Sequence, residues 1–247
     1  MRKLVRYDVY RAFHQASTYV LLAITLVLSV FTVGDVTFFS EEPSSDLVFT
    51  YGSALASGKN ILLMLAGCLC GMLIGEDFSV GSYSLAVSSG YSRWKIVGGR
   101  TISCFIVISI MLAEFMLVSL AASMVYVKTF TAGAVLRIIA LSILHTLHFC
   151  MMNMICIFMG FVLKKKVNAT AVCLFIVVLL SSLIGTLCTK VEKLTPLYLK
   201  TVPVITYTMF GGTEKALTVA GSTLVFLLIT AAIFYATGKV FEKEELA

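Results

Sequence analysis

Six long apolar runs dominate the chain, and polar segments separate them. The runs are continuously apolar and do not alternate with period two, so they predict helices and not the strands of a membrane barrel. A helix needs about 20 apolar residues to cross the hydrocarbon core of a bilayer. We predict six membrane-spanning helices, the second beginning a few residues before its apolar run: Ala16–Val33, Ile61–Gly75, Thr101–Val127, Ala134–Leu163, Val167–Cys188 and Leu217–Tyr235.

Residues 1–17 combine basic and apolar side chains at helical spacing. The apolar ones share one helical face: Val5, Val9, Ala12, Phe13 and Ala16. Most of the charged ones lie off that face: Arg2, Lys3, Arg6 and Asp8. The pattern predicts an amphipathic helix in the headgroup layer. Its role is either mechanical or that of a positively charged topology anchor.

A polar segment of 25 residues, 76–100, separates the second and third runs and reads EDFSVGSYSLAVSSGYSRWKIVGGR. Its first part, Phe78–Ser89, predicts a short helix. Gly90 then provides a stop, and Ser92 is placed to cap a new helix that enters the third span. A tight turn would suffice to join two spans, so a segment of this size indicates a docking surface for a partner.

The segment 189–216 is too apolar for a solvated loop. It contains Pro196 and Pro203, and Gly211 and Gly212 stand near its end. Short re-entrant or interfacial helices that dip into the outer leaflet fit this composition.

Composition excludes a soluble domain, since 59% of the 247 residues are hydrophobic and only 13% are charged. Basic residues near span ends mark the cytoplasmic side. If the N-terminus lies inside, 12 of the 19 Lys and Arg residues fall on cytoplasmic segments: Arg2, Lys3, Arg6, Arg11, Arg93, Lys95, Arg100, Lys164, Lys165, Lys166, Lys239 and Lys243. We therefore predict that both ends are cytoplasmic. The net charge of +6 indicates contact with anionic membrane lipid and not with nucleic acid.

Few groups inside the spans are ionisable. Glu114 is central in the third span, where a charge is costly enough to suggest function, although a protonated structural Glu is the alternative. His145 and His148 lie one turn apart on the fourth span, with Asn153 two turns beyond His145. These four residues are candidates for a translocation path or for interhelical hydrogen bonding. The seven cysteines lie in or beside spans without a C-x-x-C pair, so no metal site is predicted.

The string IGEDFSVGSYSLAVSSGYSRWKIVGGRTIS, beginning at Ile74, resembles the stretch after the second span of ABC-2 type ABC transporter permeases. Those chains carry an acidic residue, then Gly-Thr or Gly-Ser, a small-residue segment and a Ser-Arg before the third span. Glu76, Gly81-Ser82 and Ser92-Arg93 occupy these positions. Six spans, two cytoplasmic ends, an N-terminal interfacial helix and a bulky last external loop extend the likeness to the whole chain. Its small size further resembles permeases of bacterial peptide exporters and lantibiotic-immunity systems, including those that handle phenol-soluble modulins.

The resemblance implies a non-catalytic permease subunit in the bacterial cytoplasmic membrane. A separate ABC ATPase, in two copies, would bind ATP and Mg²⁺, and this chain would hold no cofactor. A second permease chain, identical or a paralogue, would complete the path for an amphipathic or hydrophobic peptide. The resemblance also implies a coupling helix, whose contact residues with the ATPase would be Glu76, Asp77, Phe78, Ser79, Gly81, Ser82, Tyr83, Leu85 and Arg93.

Two other classes are alternatives. A six-span secondary transporter or channel would show broken spans or several buried charges, and only Glu114 fits. An intramembrane protease would need a G-x-S-G nucleophile with a partner His inside the membrane. Ser88-Ser89-Gly90 follows Ala86-Val87 in a cytoplasmic segment, so that requirement fails. The chain also has no P-loop, because the string from Gly52 to Asn60 has five residues between its glycines and ends in Asn.

Overall fold

A computed structural model describes residues 2–38, 46–127, 131–176, 179 and 216–243. Every element within these ranges is a helix. In chain order the helices are α1 (Arg2–Ala12), α2 (Ala16–Phe38), α3 (Leu47–Ser79), α4 (Ser82–Ser88), α5 (Arg93–Tyr126), α6 (Ala132–Leu163), α7 (Lys166–Ile176) and α8 (Ala216–Glu242).

Five of these helices, α2, α3, α5, α6 and α8, are long and apolar enough to cross a bilayer. The chain is therefore a multi-pass membrane protein. The predicted span Val167–Cys188 corresponds to α7 in its first part, and its remainder lies largely outside the described residues. The predicted re-entrant segment, 189–216, lies outside them except for Ala216, so both predictions remain open.

The predicted start of the second span, near Ile61, is wrong, because α3 begins at Leu47. Asp46 caps this helix by accepting a hydrogen bond from the backbone N–H of Val48 at 3.0 Å. The polar pair Lys59-Asn60 interrupts the apolar run but not the helix, since Lys favours a helix and a single Asn costs it less than about 1 kcal/mol. The apolar run alone therefore gives too short a helix.

Helix α3 is the centre of the bundle. It packs against α2, α5 and α6, while α8 packs against α5 and α6 and α1 packs against α5. One of its glycines, Gly75, sits against the backbone at the start of α7. A Cβ there would lie 2.5 Å from Lys166 Cα, closer than real Cβ contacts allow. Gly75 thus permits two helices to approach through their main chains.

Several helix ends meet on one side of the bundle, which we name the α4 end. It comprises α1, the whole of α4, the starts of α5 and α7, and the ends of α3, α6 and α8. Side-chain contacts described below join these parts.

Candidate functional site

The short helix α4 is set by a tight turn after α3. Gly81 has φ 71° and ψ 18°, a left-handed conformation that costs a residue with a Cβ about 1–2 kcal/mol. The backbone N–H of Gly81 donates to the carbonyl of Phe78 at 3.3 Å. The prediction of one helix over Phe78–Ser89 is therefore wrong. Phe78 lies in the last turn of α3, which ends at Ser79, and α4 begins at Ser82 after the turn.

Four aromatic rings from four helices form a closed cluster at the α4 end. They are Phe78 of α3, Tyr83 of α4, Phe161 of α6 and Phe241 of α8. All six pairs are in contact, with ring centroids 4.4–6.3 Å apart. Such tilted and edge-on pairs are worth about 0.5–1.5 kcal/mol each beyond the area they bury. Tyr83, only 1% exposed, anchors α4 to the bundle.

A buried cluster of alternating charges lies beside these rings. The Arg100 guanidinium forms ion pairs with Asp8 of α1 and with Asp77 of α3, whose Oδ2 lies 3.0 Å from Arg100 Nε. Arg11 of α1 pairs with the same Asp77. The Ser103 hydroxyl donates to Asp8 at 3.3 Å. Buried charges are tolerated when each has a partner, so this cluster requires α1, α3 and α5 to stay together.

Burial perturbs two ionisable side chains outside the spans. Desolvation raises the pKa of Asp8 to about 6, although Arg100 acts to lower it, and the neighbouring Asp77 raises it further. Burial also raises the pKa of the Tyr83 hydroxyl well above its ordinary value, and the carboxylate of Asp77 acts in the same direction. Tyr83 therefore stays neutral, and its ring lies 5.4 Å from the Arg100 guanidinium in a cation–π contact.

Arg93 caps the C-terminal end of α8. Its Nη1 donates to the carbonyls of Phe241 at 2.9 Å and Glu242 at 2.8 Å, in the last turn of α8. Trp94 packs beside it on the rings of Phe234 and Tyr235, with centroids 6.1 and 5.8 Å apart. The start of α5 is thus fixed to the last helix. Ser92 stands at the N-cap position of α5, but its side chain makes no capping hydrogen bond.

Glu76 ties α3 to α7. Its carboxylate forms an ion pair with Lys166 at 2.8 Å, and its carbonyl accepts a hydrogen bond from the Ser79 hydroxyl at 2.7 Å. The pair is partly exposed, so it contributes at most about 1 kcal/mol. It fixes the end of α3 laterally, next to the close approach at Gly75.

The predicted ATPase-contact residues divide into two groups. Five take part in contacts within the chain: Glu76, Asp77, Phe78, Tyr83 and Arg93. Three others are exposed: Ser79, Gly81 and Leu85. The remaining residue, Ser82, is half-buried. Leu85 is 71% exposed, and so is its neighbour across the turn, Val80, at 70%. These two apolar side chains project from the α4 end.

Glu114 and His148, two of the predicted intramembrane residues, form hydrogen bonds with different helices. Glu114 accepts a hydrogen bond from Thr25 of α2 at 3.2 Å, whereas His148 bonds with Thr223 of α8 at 2.8 Å. The buried His145 packs on Phe149 with ring centroids 5.9 Å apart. Asn153 donates to the carbonyl of Phe149 at 3.0 Å. Within the described ranges, no group of three His, Cys, Asp or Glu residues is placed to hold a metal ion.

Three members of the charge cluster were not predicted as site residues from the sequence: Asp8, Arg11 and Arg100. Asp8 was expected on the solvated side of the first helix, yet that helix turns Asp8 and Ala12 into the bundle. One signal was available. Asp8 is the only acidic residue among the first 34, and it stands three positions before Arg11 on the same helical face. No sequence pattern near Asp8 or Arg11 indicates that their partners are Arg100 and Asp77, which lie far along the chain.

Comparison with protein-family models finds no match for this chain, and comparison with curated proteins finds no significant similarity.

Proposed function

We propose that this chain is the permease subunit of an ATP-driven ABC exporter and that α4 is its contact with the ATPase. The observation that carries the proposal is a pair of exposed apolar side chains, Val80 and Leu85, beside a short helix that the buried Tyr83 anchors to the bundle. It stands directly between two membrane-spanning helices, α3 and α5. The resemblance of residues 74–103 to the equivalent stretch of ABC-2 permeases supports the same assignment.

A coupling element must move together with the spans to which it is joined. Tyr83 fastens α4 to rings of α3, α6 and α8, and Arg93 fastens the start of α5 to the end of α8. Force applied at Leu85 therefore reaches α3 and α5 through the main chain and α6 and α8 through side chains. Phe78 and Tyr83 were expected among the contact residues, but both rings pack against other rings of this chain, so the exposed Leu85 is the better candidate for the contact.

The remaining parts of the proposal follow from the resemblance. Two permease chains and two ATPase chains form the exporter in the bacterial cytoplasmic membrane, with both ends of the permease on the ATPase side. The substrate is an amphipathic or hydrophobic peptide, carried either in toxin secretion or in self-protection. ATP and Mg²⁺ bind to the ATPase.

Site-specific photo-cross-linking tests the contact. A photoreactive residue at Leu85 should cross-link, in the membranes of the native host, to a protein that mass spectrometry identifies as an ABC ATPase. The control places the same group at Tyr126, which is exposed at the opposite end of α5. Products without an ABC ATPase at Leu85, or equal capture of the ATPase at both positions, would contradict the proposal.

The apolar character of the projection gives a second test. Leu85→Asp should reduce co-purification with the identified ATPase at least tenfold, because truncation or charging of a central apolar anchor commonly costs 2 kcal/mol or more. Ser88→Asp places the same charge on an exposed residue of α4 three positions away and should have a smaller effect. The folded state of each variant is checked by its elution as a single species in detergent.

A further inference from the structure

Arg100 is the point at which three separate helices contact one side chain. Its guanidinium is paired with Asp8 of α1 and Asp77 of α3, and it lies over the ring of Tyr83 from α4. Arg100 itself belongs to α5 and is buried, with 5% of its side chain exposed. The position of this one planar group thus depends on α1, α3 and α4 at the same time.

The geometry leaves this group little freedom. A guanidinium can satisfy two carboxylates only when its plane is held between them, because its N–H groups project in fixed directions. The Tyr83 ring covers one side of that plane at 5.4 Å. If α4 shifts, it carries this ring away from the guanidinium and removes the support on that side of the plane.

The charges favour two positions of α1, docked and released, over intermediate positions. Removing one partner from a buried ion pair is strongly unfavourable, since the charge left behind is neither hydrated nor compensated. When Arg100 loses its bridging position, Asp8 and Arg11 are stabilised best by moving into water. Both are side chains of α1, so they leave the bundle by undocking that helix. Partial undocking exposes some charges without hydrating the rest.

We propose that Arg100 is a positioning residue that couples the place of α4 to the docking of α1. While α4 is seated, α1 is held against α5; when α4 is displaced, α1 is released. By thermodynamic linkage the relation is reciprocal, so release of α1 also loosens α4 by the same free energy. The coupling belongs to this chain alone, and it holds whatever partner binds α4.

Spin-label distance measurements in lipid nanodiscs, without any ATPase, test the coupling. Labels at Tyr7→Cys on α1 and Lys95→Cys on α5, two exposed positions, report whether α1 is docked. The six described native cysteines are buried, and the chain without introduced cysteines provides the background. The expected result for the native sequence is one narrow distance distribution.

Two substitutions in the aromatic cluster separate coupling from general loosening. Tyr83→Leu removes the ring that covers Arg100 and should raise the undocked population about tenfold. Phe161→Leu also removes a ring from the cluster, but no contact between Phe161 and Arg100 is part of the site, so α1 should remain docked. Tyr83→Phe keeps the ring and should behave as the native chain. Equal undocking in the two leucine variants, or none in either, would overturn the proposal.

The reciprocal measurement covers the case in which Tyr83→Leu does not fold. Asp8→Lys places a positive charge beside Arg100 and Arg11 and should release α1, and a label at Leu85→Cys should then become more mobile. An unchanged spectrum at Leu85, with α1 visibly released, contradicts the coupling. These outcomes are independent of the cross-linking at Leu85, so failure of the coupling and failure of the ABC assignment are distinguishable.

Discussion

The Arg93 guanidinium donates to the carbonyls of Phe241 at 2.9 Å and Glu242 at 2.8 Å, although Arg93 and Phe241 are 148 positions apart. The contact joins the first residue of α5 to the last turn of α8. Positive charge at a helix C-terminus is stabilising, since the last carbonyls carry partial negative charge. The same guanidinium lies 6.0 Å from the Phe241 ring. Arg93 therefore links the segment after α4 to the last helix by a cap.

Removal of this cap should destabilise the end of α8. Arg93→Ala is expected to cost about 1.5–3 kcal/mol, the range for hydrogen bonds to charged groups. Thermal unfolding in detergent, followed by loss of the monodisperse peak, measures the effect. Lys95→Ala, two positions away and exposed, is the control and should be nearly neutral. An Arg93→Ala variant as stable as the Lys95→Ala variant would show that the cap contributes nothing.

Acidic pH should stabilise the docked α1 through Asp8. Its pKa is about 6 in the folded chain against 3.8 for an ordinary Asp, so the folded state binds the proton more tightly. This contribution is fully present below pH 4 and is lost as the pH rises through 6. Two pKa units correspond to about 3 kcal/mol at most. Arg100, Asp77, Arg11 and Ser103 are the groups that face Asp8.

Asp8→Asn isolates that contribution from other titrating groups. The stability of the native chain relative to Asp8→Asn should rise by about 1–3 kcal/mol as the pH falls from 7 to 4, because only the native chain takes up a proton at position 8. How well Asn packs shifts this difference equally at every pH. The pH dependence of this stability difference therefore tests whether Asp8 titrates in this range. Glu242→Gln, which removes an exposed carboxylate paired with Lys239, should not show this slope. A flat difference for Asp8→Asn would mean that Asp8 does not titrate in this range.

Gly75 should tolerate no side chain. Gly75→Ala places a methyl group 2.5 Å from Lys166 Cα and must push α7 away from α3. Overpacking of this kind typically costs about 1–3 kcal/mol. Gly221→Ala in α8 is a matched control, since its Cβ would meet nothing within 4 Å, and it should be neutral or stabilising. Equal stability of the two variants would show that α3 and α7 do not approach this closely.

Thiol labelling of introduced cysteines tests the membrane topology of the chain. If the α4 end is cytoplasmic, Ser88→Cys should resist a membrane-impermeant thiol reagent in intact cells, and Tyr126→Cys at the other end of α5 should react. Both positions are exposed in the structure. Permeabilised cells provide the control for reactivity at Ser88. Labelling of Ser88 alone in intact cells would reverse the orientation.

The helices that face lipid could be predicted well from sequence. Ala134–Leu163 was expected as a span, and α6 covers Ala132–Leu163, because an unbroken apolar run in a bilayer has no alternative to a helix. The end of α3 could not be placed in this way. There the backbone conformation of Gly81, and not hydropathy, separates α3 from α4.

The candidate site depended on contacts between segments far apart in the chain. Tyr83 and Phe78 are aromatic residues in a polar segment, a pattern that indicates a partner surface as readily as an internal anchor. Whether such rings turn inward is decided by Phe161 and Phe241, which no local pattern connects to them. The same holds for Asp8, whose partner Arg100 lies 92 positions away.

The closed set of four rings also has a consequence for biosynthesis. Phe241 leaves the ribosome 158 residues after Tyr83, so α4 lacks part of its seat until α8 has entered the membrane. Until then, the Tyr83 side of α4 offers exposed aromatic surface, and the Val80–Leu85 projection has no fixed direction. A partner that recognises α4 in its seated position would therefore bind only chains in which α8 is already in place, and assembly would follow the insertion of α8.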